Sequence, residues 1–410
     1  MIKLKSQKVE LLAPAGNFEK LEIAIHYGAD AVYIGAKGIS LRNLGQNFSF
    51  NEIREAVDFA HKHHVRVYVA CNIFARDVQF PEISEFLIHM GEIRPDALII
   101  SDPGILMEAK ERVPQLPIHL STQANTCNTK TVLFWESLGV NRVNLARELT
   151  LTQIKAISNT VHAETEVFVH GAMCIAYSGR CLLSSFLTKR HSNLGECSQP
   201  CRWKYGLVEE LRPGQWMPFQ EDDQGAYILN SKDLCMIQHI PELIQTGVTS
   251  LKIEGRMKTL GYLGTTVKVY REAIDAYYNA PDTFNLRPDW VDSLCDISNR
   301  GYCTGFFLDD PDAQTPNYIS STSQFYKPFI GKVVSADQDK YVQVAVRYKV
   351  KKGEWVQVLR QQGPPVINQI EDIRDQHGHS IDIAQPNTLA FLRFQHEFSS
   401  NDLIHKACAV

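Results

Sequence analysis

The stretch VELLAPAGNFEKLEIAIHYGADAVYI, residues 9–34, decides the fold. Its two apolar runs, residues 9–13 and 31–34, have the length of buried strands. Between them, residues 18–27 place apolar side chains on one face of a helix. A strand, a helix and a second strand in this order form one parallel βαβ unit.

The same unit recurs along roughly the first two thirds of the chain. Amphipathic helical patterns separate the runs, and a long one, residues 262–278, follows the last. Eight units favour an α/β fold, a TIM-like (β/α)8 barrel, over the alternative of an open doubly wound sheet, since no GxGxxG turn follows the first strand. The eight strand-like runs are residues 9–13, 31–34, 65–70, 97–100, 118–121, 142–145, 166–169 and 250–253.

Two regions depart from this rhythm. A long, cysteine-rich insertion follows the seventh strand, where barrel enzymes carry their active sites. Near the end, GKVVSADQDKYVQVAVRYKVKKGEWVQVL (residues 331–359) alternates apolar and polar residues, which predicts a small C-terminal antiparallel β domain. We therefore expect a barrel over residues 1–278, a linker region over 279–327 and the β domain over 328–410.

Composition narrows the class of protein. The 410 residues are 44% hydrophobic and 21% charged, as in ordinary globular proteins. The start does not read as a signal peptide and no apolar run is long enough to span a membrane, so we expect a cytoplasmic protein. The net charge of −4 does not indicate nucleic-acid binding, although a local basic face would still allow it.

Cysteines give the strongest chemical signal. The segment HGAMCIAYSGRCLLSSFLTKRHSNLGECSQPCRWKYGL, residues 170–207, holds four of the ten cysteines. Thiols stay reduced in the cytosol, so such a group indicates a metal or catalysis; thiolates select iron–sulfur clusters or zinc. A structural zinc site and buried structural cysteines are the alternatives. The five candidate ligands are Cys174, Cys181, Cys197, Cys201 and Cys235.

Polar residues at predicted strand ends are candidates for catalysis or for binding an anionic ligand. His170 ends the seventh strand, Arg147 follows the sixth, and Glu254 and Arg256 follow the eighth. Arginine suits bidentate recognition of carboxylate or phosphate. The alternative is that each residue caps a helix or pairs locally.

Basic and aromatic residues flank the cysteines and recur in the β domain at YKVKKGEW, residues 348–355. Such residues neutralise phosphates and stack on unpaired bases, so they are candidates for RNA binding. The alternative, an ordinary solvated face, is favoured for residues 348–355. The candidates beside the cysteines are Lys189, Arg190, Arg202, Trp203 and Lys204.

Missing motifs exclude several enzyme classes. The chain has no HExxH, no GxSxG and no Walker A loop, which argues against a zincin, a serine hydrolase of the elbow type and a P-loop enzyme. The CxxxCxxC triplet of radical enzymes is also missing, because Lys204 stands where its third cysteine would fall.

Four segments together resemble the collagenase-like peptidases of family U32. They are ELLAPAGNFEKLEIAIHYGADAVYIG, VFVHGAMCIAYSGRCLLSS, GECSQPCRWKY and SLKIEGRMK. The resemblance is close over residues 8–270 and looser over the β tail. It implies an oxygen-independent hydroxylase, since branches of this family modify tRNA, ribosomal RNA or the ubiquinone ring. The β domain and the CRWKY segment look most like the tRNA branch, which makes 5-hydroxyuridine at the wobble position with prephenate as hydroxyl donor.

The resemblance also implies a cofactor and its ligands. Members of this group carry a 4Fe–4S cluster, here expected on Cys174, Cys181, Cys197 and Cys235, with Cys201 as an alternate ligand. Arg147 and Arg256 are expected to hold the carboxylates of prephenate. A peptidase, an rRNA hydroxylase and a hydroxylase of another aromatic substrate remain the alternatives, and the electron donor is unknown.

Overall fold

A computed structural model describes residues 8–39, 47–173, 181–190, 196–200, 221–222, 225–226, 232–308, 327–336 and 340–407. Its first part is a closed ring of eight parallel strands, and each of the eight predicted runs overlaps one of them. The strands are β1 (Glu10–Pro14), β2 (Ala31–Gly35), β3 (Arg66–Cys71), β4 (Ala97–Ile100), β5 (Ile118–Leu120), β6 (Arg142–Asn144), β7 (Glu164–Ala172) and β11 (Ser250–Ile253).

The ring closes where β11 pairs with both β7 and β1. Ser250 lies opposite Glu166 on one side and opposite Glu10 on the other, in parallel register. An open doubly wound sheet would leave two free edges instead. The predicted TIM-like barrel is therefore confirmed.

Helices return the chain between strands, and side-chain caps fix where several of them begin. Asn17, Ser49, Thr150 and Thr259 each accept a backbone N–H of the first helical turn. No described helix is both long and apolar enough to cross a lipid bilayer. The helices are α1 (Phe18–His26), α2 (Phe50–Lys62), α3 (Phe80–Ile93), α4 (Pro103–Arg112), α5 (Thr129–Ser137), α6 (Leu151–Ser158), α7 (Leu183–Thr188), α8 (Ile240–Gln245), α9 (Leu260–Asn279) and α10 (Pro288–Cys295).

Short strands extend the sheet beyond the carboxyl ends of the barrel strands, which we call the mouth. β10 (Asp233–Cys235) runs antiparallel to the end of β7, and β12 (Tyr302–Cys303) pairs with β10. Within the insertion, β8 (Glu221–Asp222) and β9 (Gly225–Ala226) form a separate pair.

The last part of the chain is a curled antiparallel sheet with its own apolar core, as predicted. Its strand order is β17-β16-β21-β13-β14-β20-β18, with β15 and β19 as a further pair. The strands are β13 (Phe329–Ala336), β14 (Tyr341–Val346), β15 (Val350–Lys351), β16 (Trp355–Leu359), β17 (Val366–Gln369), β18 (Asp372–Arg374), β19 (Ile383–Ala384), β20 (Leu389–Arg393) and β21 (Leu403–Lys406).

Helix α9 joins the two parts closely. A Cβ on Gly261 would lie 2.5 Å from His405 Nε2, and one on Gly264 would lie 2.4 Å from Leu403. Two glycines one helical turn apart therefore form a notch that admits β21. The barrel also contributes Tyr27, whose hydroxyl donates to the carbonyl oxygen of Leu359 at 2.7 Å.

The opposite end of the barrel, at the first residues of the strands, is the base. Buried Arg142 contacts Glu10 at 2.5 Å and Glu164 at 2.6 Å. Arg66 makes a second contact with Glu10, also at 2.5 Å. Burial alone would raise the pKa of Glu10, but Arg142 and Arg66 outweigh burial and hold that pKa below its usual range.

One layer further in, Lys252 donates to Glu166 at 2.8 Å, and Glu166 also lies 3.4 Å from Arg142. The base network thus pairs three cations, Arg66, Arg142 and Lys252, with three carboxylates, Glu10, Glu164 and Glu166, and the Arg66 and Glu164 side chains are partly exposed at its rim. Such a balanced set avoids the cost of an unpaired buried charge.

Candidate active site at the barrel mouth

The floor of the mouth is a cation between two aromatic rings. The Lys252 ammonium lies 4.6 Å from the ring centroid of Tyr33 and 5.4 Å from that of Phe168. On the other face of this layer, the Arg147 guanidinium lies 4.0 Å from the Phe168 ring. Ring faces attract cations, so the aromatic rings help to hold both positive charges in place. Among the described residues, no carboxylate contacts Arg147 directly.

Arg147 is also fixed by the backbone at the end of β7. Its Nη1 donates to the carbonyl oxygen of Ala172 at 2.6 Å. The side chain is half-buried, which leaves part of the guanidinium toward solvent. The structure therefore places Arg147 at the mouth, as the sequence predicts for a residue that follows β6.

Arg256 is held more tightly. It is buried, its Nη2 donates to Asn47 Oδ1 at 2.9 Å, and its carbonyl accepts from Lys20 Nζ at 2.8 Å. Glu254 precedes it, with its backbone N–H bonded to the carbonyl of His170 at 2.8 Å. Both residues lie at the mouth end of β11, and Arg256 makes its contacts with the loops after β1 and β2.

His170 is enclosed rather than open to the mouth. It is fully buried, and its ring centroid lies 5.8 Å from that of Tyr262, 5.5 Å from Tyr270 and 5.3 Å from Tyr302. Burial, with a smaller effect of Lys258, lowers the pKa of His170 to about 3, so the imidazole is neutral near pH 7. Its Nε2 has no hydrogen-bond partner within the described chain.

A backbone irregularity explains this placement. The register between β7 and β11 shifts at Ile253, which pairs with His170 after Lys252 has paired with Phe168. Gly171 follows with φ +107°, and a Cβ there would lie 2.5 Å from the Glu254 carbonyl oxygen. Bulges of this kind redirect side chains beside active sites.

Cys235 lies directly beside His170, its antiparallel partner on β7. The Tyr270 hydroxyl donates to the Val169 carbonyl oxygen at 2.8 Å. The same hydroxyl lies 4.0 Å from Cys235 Sγ. Burial raises the pKa of the Cys235 thiol to about 11. Forming the thiolate therefore needs a compensating positive charge, which a bound metal supplies.

Two further thiols share the surroundings of Cys235. Cys235, Cys295 and Cys303 line one cavity of about 580 Å³, together with Tyr302 and Asn299. Neither Cys295 nor Cys303 belongs to the predicted ligand set. They reach this cavity because α10 and β12 pack beside β10.

Cys181 and Cys197 lie on two segments joined by hydroxyl groups. Ser184, in α7, accepts the backbone N–H of Ser198 at 3.1 Å, and the two hydroxyl oxygens are 3.0 Å apart. Thr188 Oγ1 lies 2.9 Å from Ser198 Oγ. Ser184, three residues after Cys181, is thus hydrogen-bonded to Ser198, the residue after Cys197.

The same segment orders part of the predicted RNA-binding group. Arg190 Nε donates to the Glu196 carbonyl oxygen at 3.1 Å, and both Lys189 and Arg190 are exposed. Phe186, on α7, is 78% exposed beside them. The remaining predicted residues lie outside the described chain; they are Cys174, Cys201, Arg202, Trp203 and Lys204.

The predicted ligands are all cysteines, which suits a metal cluster that prefers sulfur ligands. Among the residues that the structure describes, no three or more histidine, cysteine or carboxylate side chains are grouped closely enough to hold a metal ion. Three predicted ligands, Cys181, Cys197 and Cys235, form no disulfide. Four thiolates are the usual complement of an iron–sulfur cluster, so the described set is one short.

Sequence reasoning missed several residues of the mouth. Lys252, Tyr33 and Phe168 lie within predicted strands and look like parts of apolar runs. Their signal is the two-residue period of a strand, which puts Glu166 and Phe168 on the same interior face. Two of the tyrosines around His170, Tyr262 and Tyr270, gave no sequence signal beyond the amphipathic pattern of α9, and Tyr302 lies on the short β12, which gave no signal.

Family profiles match almost the whole chain. The profile of Peptidase family U32 matches residues 16–342, and that of the Peptidase family U32 C-terminal domain matches residues 327–405. The chain belongs to peptidase family U32. The resemblance stated from four sequence segments is thereby confirmed.

Relatives within family U32 are similar over both parts of the chain. One is tRNA hydroxylation protein P1 of Bacillus subtilis (strain 168), 40% identical over 394 residues, which cover 95% of this chain and 92% of that protein. A second is tRNA hydroxylation protein P of Escherichia coli (strain K12), 37% identical, covering 92% of this chain and 91% of that protein. A third, a 23S rRNA 5-hydroxycytidine synthase of Escherichia coli, is 32% identical over 85% of this chain but 50% of that protein.

Proposed function

We propose that this U32 protein is an RNA hydroxylase whose substrate is tRNA. The observation that carries the proposal is similarity across barrel and β domain alike to two proteins named for tRNA hydroxylation. The similarity to the rRNA synthase covers half of that longer protein, so it supports RNA hydroxylation as the chemistry and favours tRNA as the substrate.

The finer proposal is formation of 5-hydroxyuridine at the wobble position, with prephenate as hydroxyl donor. Prephenate carries two carboxylates, and Arg147 and Arg256 are the cations that we assign to them. Arginine binds carboxylates through paired N–H groups, and both residues lie at the mouth. Lys252 adds a positive charge to the floor between Tyr33 and Phe168.

The cofactor that we propose is a 4Fe–4S cluster on Cys174, Cys181, Cys197 and Cys235. Three of these lie in the described chain and form no disulfide, and burial raises the pKa of the Cys235 thiol, which metal binding would offset. When bound, such a cluster supplies electron transfer, and its potential depends on hydrogen bonds to sulfur. The electron donor to it is a separate, unidentified partner.

The test joins metal analysis to RNA analysis. The protein is purified without oxygen, and its iron, sulfide and zinc are measured. It is then expressed in a bacterial strain that lacks its own homologous genes, and tRNA nucleosides are examined by mass spectrometry. Iron and sulfide in equal amounts, with a wobble uridine heavier by one oxygen atom, are the expected results.

Two outcomes would redirect the proposal. Zinc without sulfide would remove the redox cofactor. Unmodified tRNA together with modified ribosomal RNA would move the substrate to ribosomal RNA. A strain that cannot make prephenate tests the donor, because hydroxylation should then stop unless prephenate is supplied.

A peptidase is the second candidate, and the family description is what favours it. Such an enzyme needs an activated nucleophile or a metal-bound water. The nearest candidate base, His170, is fully buried among three tyrosines, which does not suit contact with a peptide. Peptide cleavage that chelators abolish would revive this candidate.

A further inference from the structure

Helix α1 relates the β domain to the mouth of the barrel. Its first turn follows β1 at the mouth, and there Lys20 donates to the Arg256 carbonyl. Glu19, the preceding residue, accepts from Arg347 of the β domain at 3.3 Å, and Lys332 lies 3.8 Å from the same carboxylate. The part of the β domain near Arg347 is therefore level with the mouth.

The last turn of α1 gives the opposite end. Gln361 Nε2 donates to the carbonyl oxygen of His26, the last residue of the helix, at 2.9 Å. Asp402 lies 3.9 Å from the His26 imidazole. The β domain thus stands alongside the barrel, with Arg347 at the mouth and Gln361 toward the base.

Residues 347–355, which we call the mouth-side segment, carry four basic residues and one acidic residue. Arg347 and Lys352 are paired with carboxylates. Lys349 and Lys351 are exposed, and neither forms an ion pair with any residue that the structure describes. Two uncompensated charges therefore lie in solvent within four residues of Arg347.

An aromatic ring directly precedes Lys349 in sequence. Tyr348 is 46% exposed, and its backbone N–H is bonded to the Ile330 carbonyl at 3.1 Å, so its main chain is fixed. Surfaces that bind single-stranded RNA combine lysines for phosphates with aromatic faces for bases. The mouth-side segment has both.

The base-side end of the β domain differs in charge. Lys340 and Arg360 line a cleft of about 1030 Å³ together with Glu397 and Asp402. The carboxylates in this cleft equal the basic residues in number, so they would repel phosphate there. Strand β14 separates Lys340 from Arg347 by six residues, roughly 20 Å of extended chain, which exceeds the ~8–10 Å range of charge effects near physiological salt.

We propose, resting on the proposed function, that the mouth-side segment grips the RNA strand beside the nucleotide that enters the barrel. Lys349 and Lys351 neutralise two phosphates, and the Tyr348 ring stacks on one unpaired base. This assigns to the β domain a direct contact with RNA and fixes which of its two ends makes it.

The experiment measures RNA affinity of the full chain, purified without oxygen, against a 17-nucleotide anticodon stem-loop and an unmodified tRNA transcript over a range of salt. Lys349→Ala with Lys351→Ala should reduce the slope of log affinity against log salt by about 1.4 to 1.8, the value for two lost phosphate contacts. Tyr348→Ala should weaken binding between about 5-fold and 150-fold, and Tyr348→Phe should restore it.

The matched control removes the same charge from the other end. Lys340→Ala with Arg360→Ala should leave the slope unchanged, because Glu397 and Asp402 line the same cleft and already balance those two charges. Wild-type binding with equal slopes for the two double variants would overturn the mouth-side grip and leave the proposed function standing. A wild-type protein without measurable RNA affinity would overturn both.

Discussion

The two ends of the barrel differ in whether their charged residues are paired. At the base, Arg142, Glu10 and Glu166 are buried, mutually paired and satisfied. At the mouth, Arg147 faces an aromatic ring and the backbone, and its Nε has no hydrogen-bond partner among the described residues. Satisfied polar groups favour one rigid arrangement, whereas unsatisfied ones remain available to a ligand.

The difference indicates where stability and chemistry lie. The base closes the ring through β1, β6, β7 and β11, so its ion pairs act on folding. The mouth carries the bulge, the glycine with positive φ and the thiols, all of which cost stability. Substitutions at the two ends should therefore separate loss of cofactor from loss of fold.

The largest effect is expected at the mouth. Cys235→Ala should abolish the visible absorbance of the cluster in protein purified without oxygen, because four thiolates hold it. Cys303→Ala, in the same cavity, is the matched control and should keep the spectrum. A full spectrum in the Cys235 variant would remove this residue from the ligand set.

The next effect tests the base. Arg142→Ala should lower the free energy of unfolding by about 3–5 kcal/mol, since the buried carboxylates of Glu10 and Glu166 then keep only Arg66 and Lys252 as cations and the network is one positive charge short. Glu164→Gln is the control: its side chain is 47% exposed, so removing that charge should cost no more than about 1 kcal/mol. Denaturant unfolding measures both, and similar losses would show that the base network is not a unit.

Falling pH should lower the free energy of unfolding in two steps, first through His405 and then through Glu10. Burial, with a smaller effect of Lys327, lowers the pKa of His405 to about 4, on the mouth side of the β domain. The unfolded chain binds the proton more readily, so this stability is present above pH ~6.5 and is lost as pH falls toward 4, by about 2–3 kcal/mol at pH ~4.5.

His405→Gln should flatten the pH dependence of unfolding between pH ~6.5 and ~4.5. Glu10, whose pKa is lowered from 4.5, should contribute its loss at still lower pH. Unfolding free energies for wild type and variant that stay parallel across this range would show that His405 is not the group responsible.

The smallest effect concerns the surroundings of Cys235. Tyr270→Phe removes the hydroxyl that lies 4.0 Å from the sulfur and accepts the Met236 N–H at 3.0 Å. It should cost about 1 kcal/mol of stability and shift the cluster potential to more negative values, with the absorbance kept. Tyr277→Phe, on the same helix, is the control and should leave the potential unchanged.

The fold was predictable because its signal is repeated. Eight apolar runs with helices between them indicate a barrel even when single boundaries are off, as for β7, which runs from residue 164 to 172 rather than 166 to 169. The alternating pattern after residue 328 predicted the β domain for the same reason. Each signal depends on periodicity, which one sequence displays.

The site was predictable in part. Residue type and strand position place Arg147 and Arg256 at the mouth, as expected. His170 follows the same rule but is turned into a tyrosine cage by a bulge, which no pattern in the sequence displays. The short β10 and β12, which bring Cys303 beside Cys235, carry too few residues for a periodic signal, and Cys295 reaches the same cavity from the end of α10.

The glycine notch of α9 has a consequence for how the two parts of the chain stay aligned. Helix α9 begins shortly after the mouth end of β11, and it receives β21 at Gly261 and Gly264. Neither glycine has a side chain that could yield at this contact, so a methyl group added at either position would shift the β domain relative to the mouth without changing the thiols or arginines that lie there.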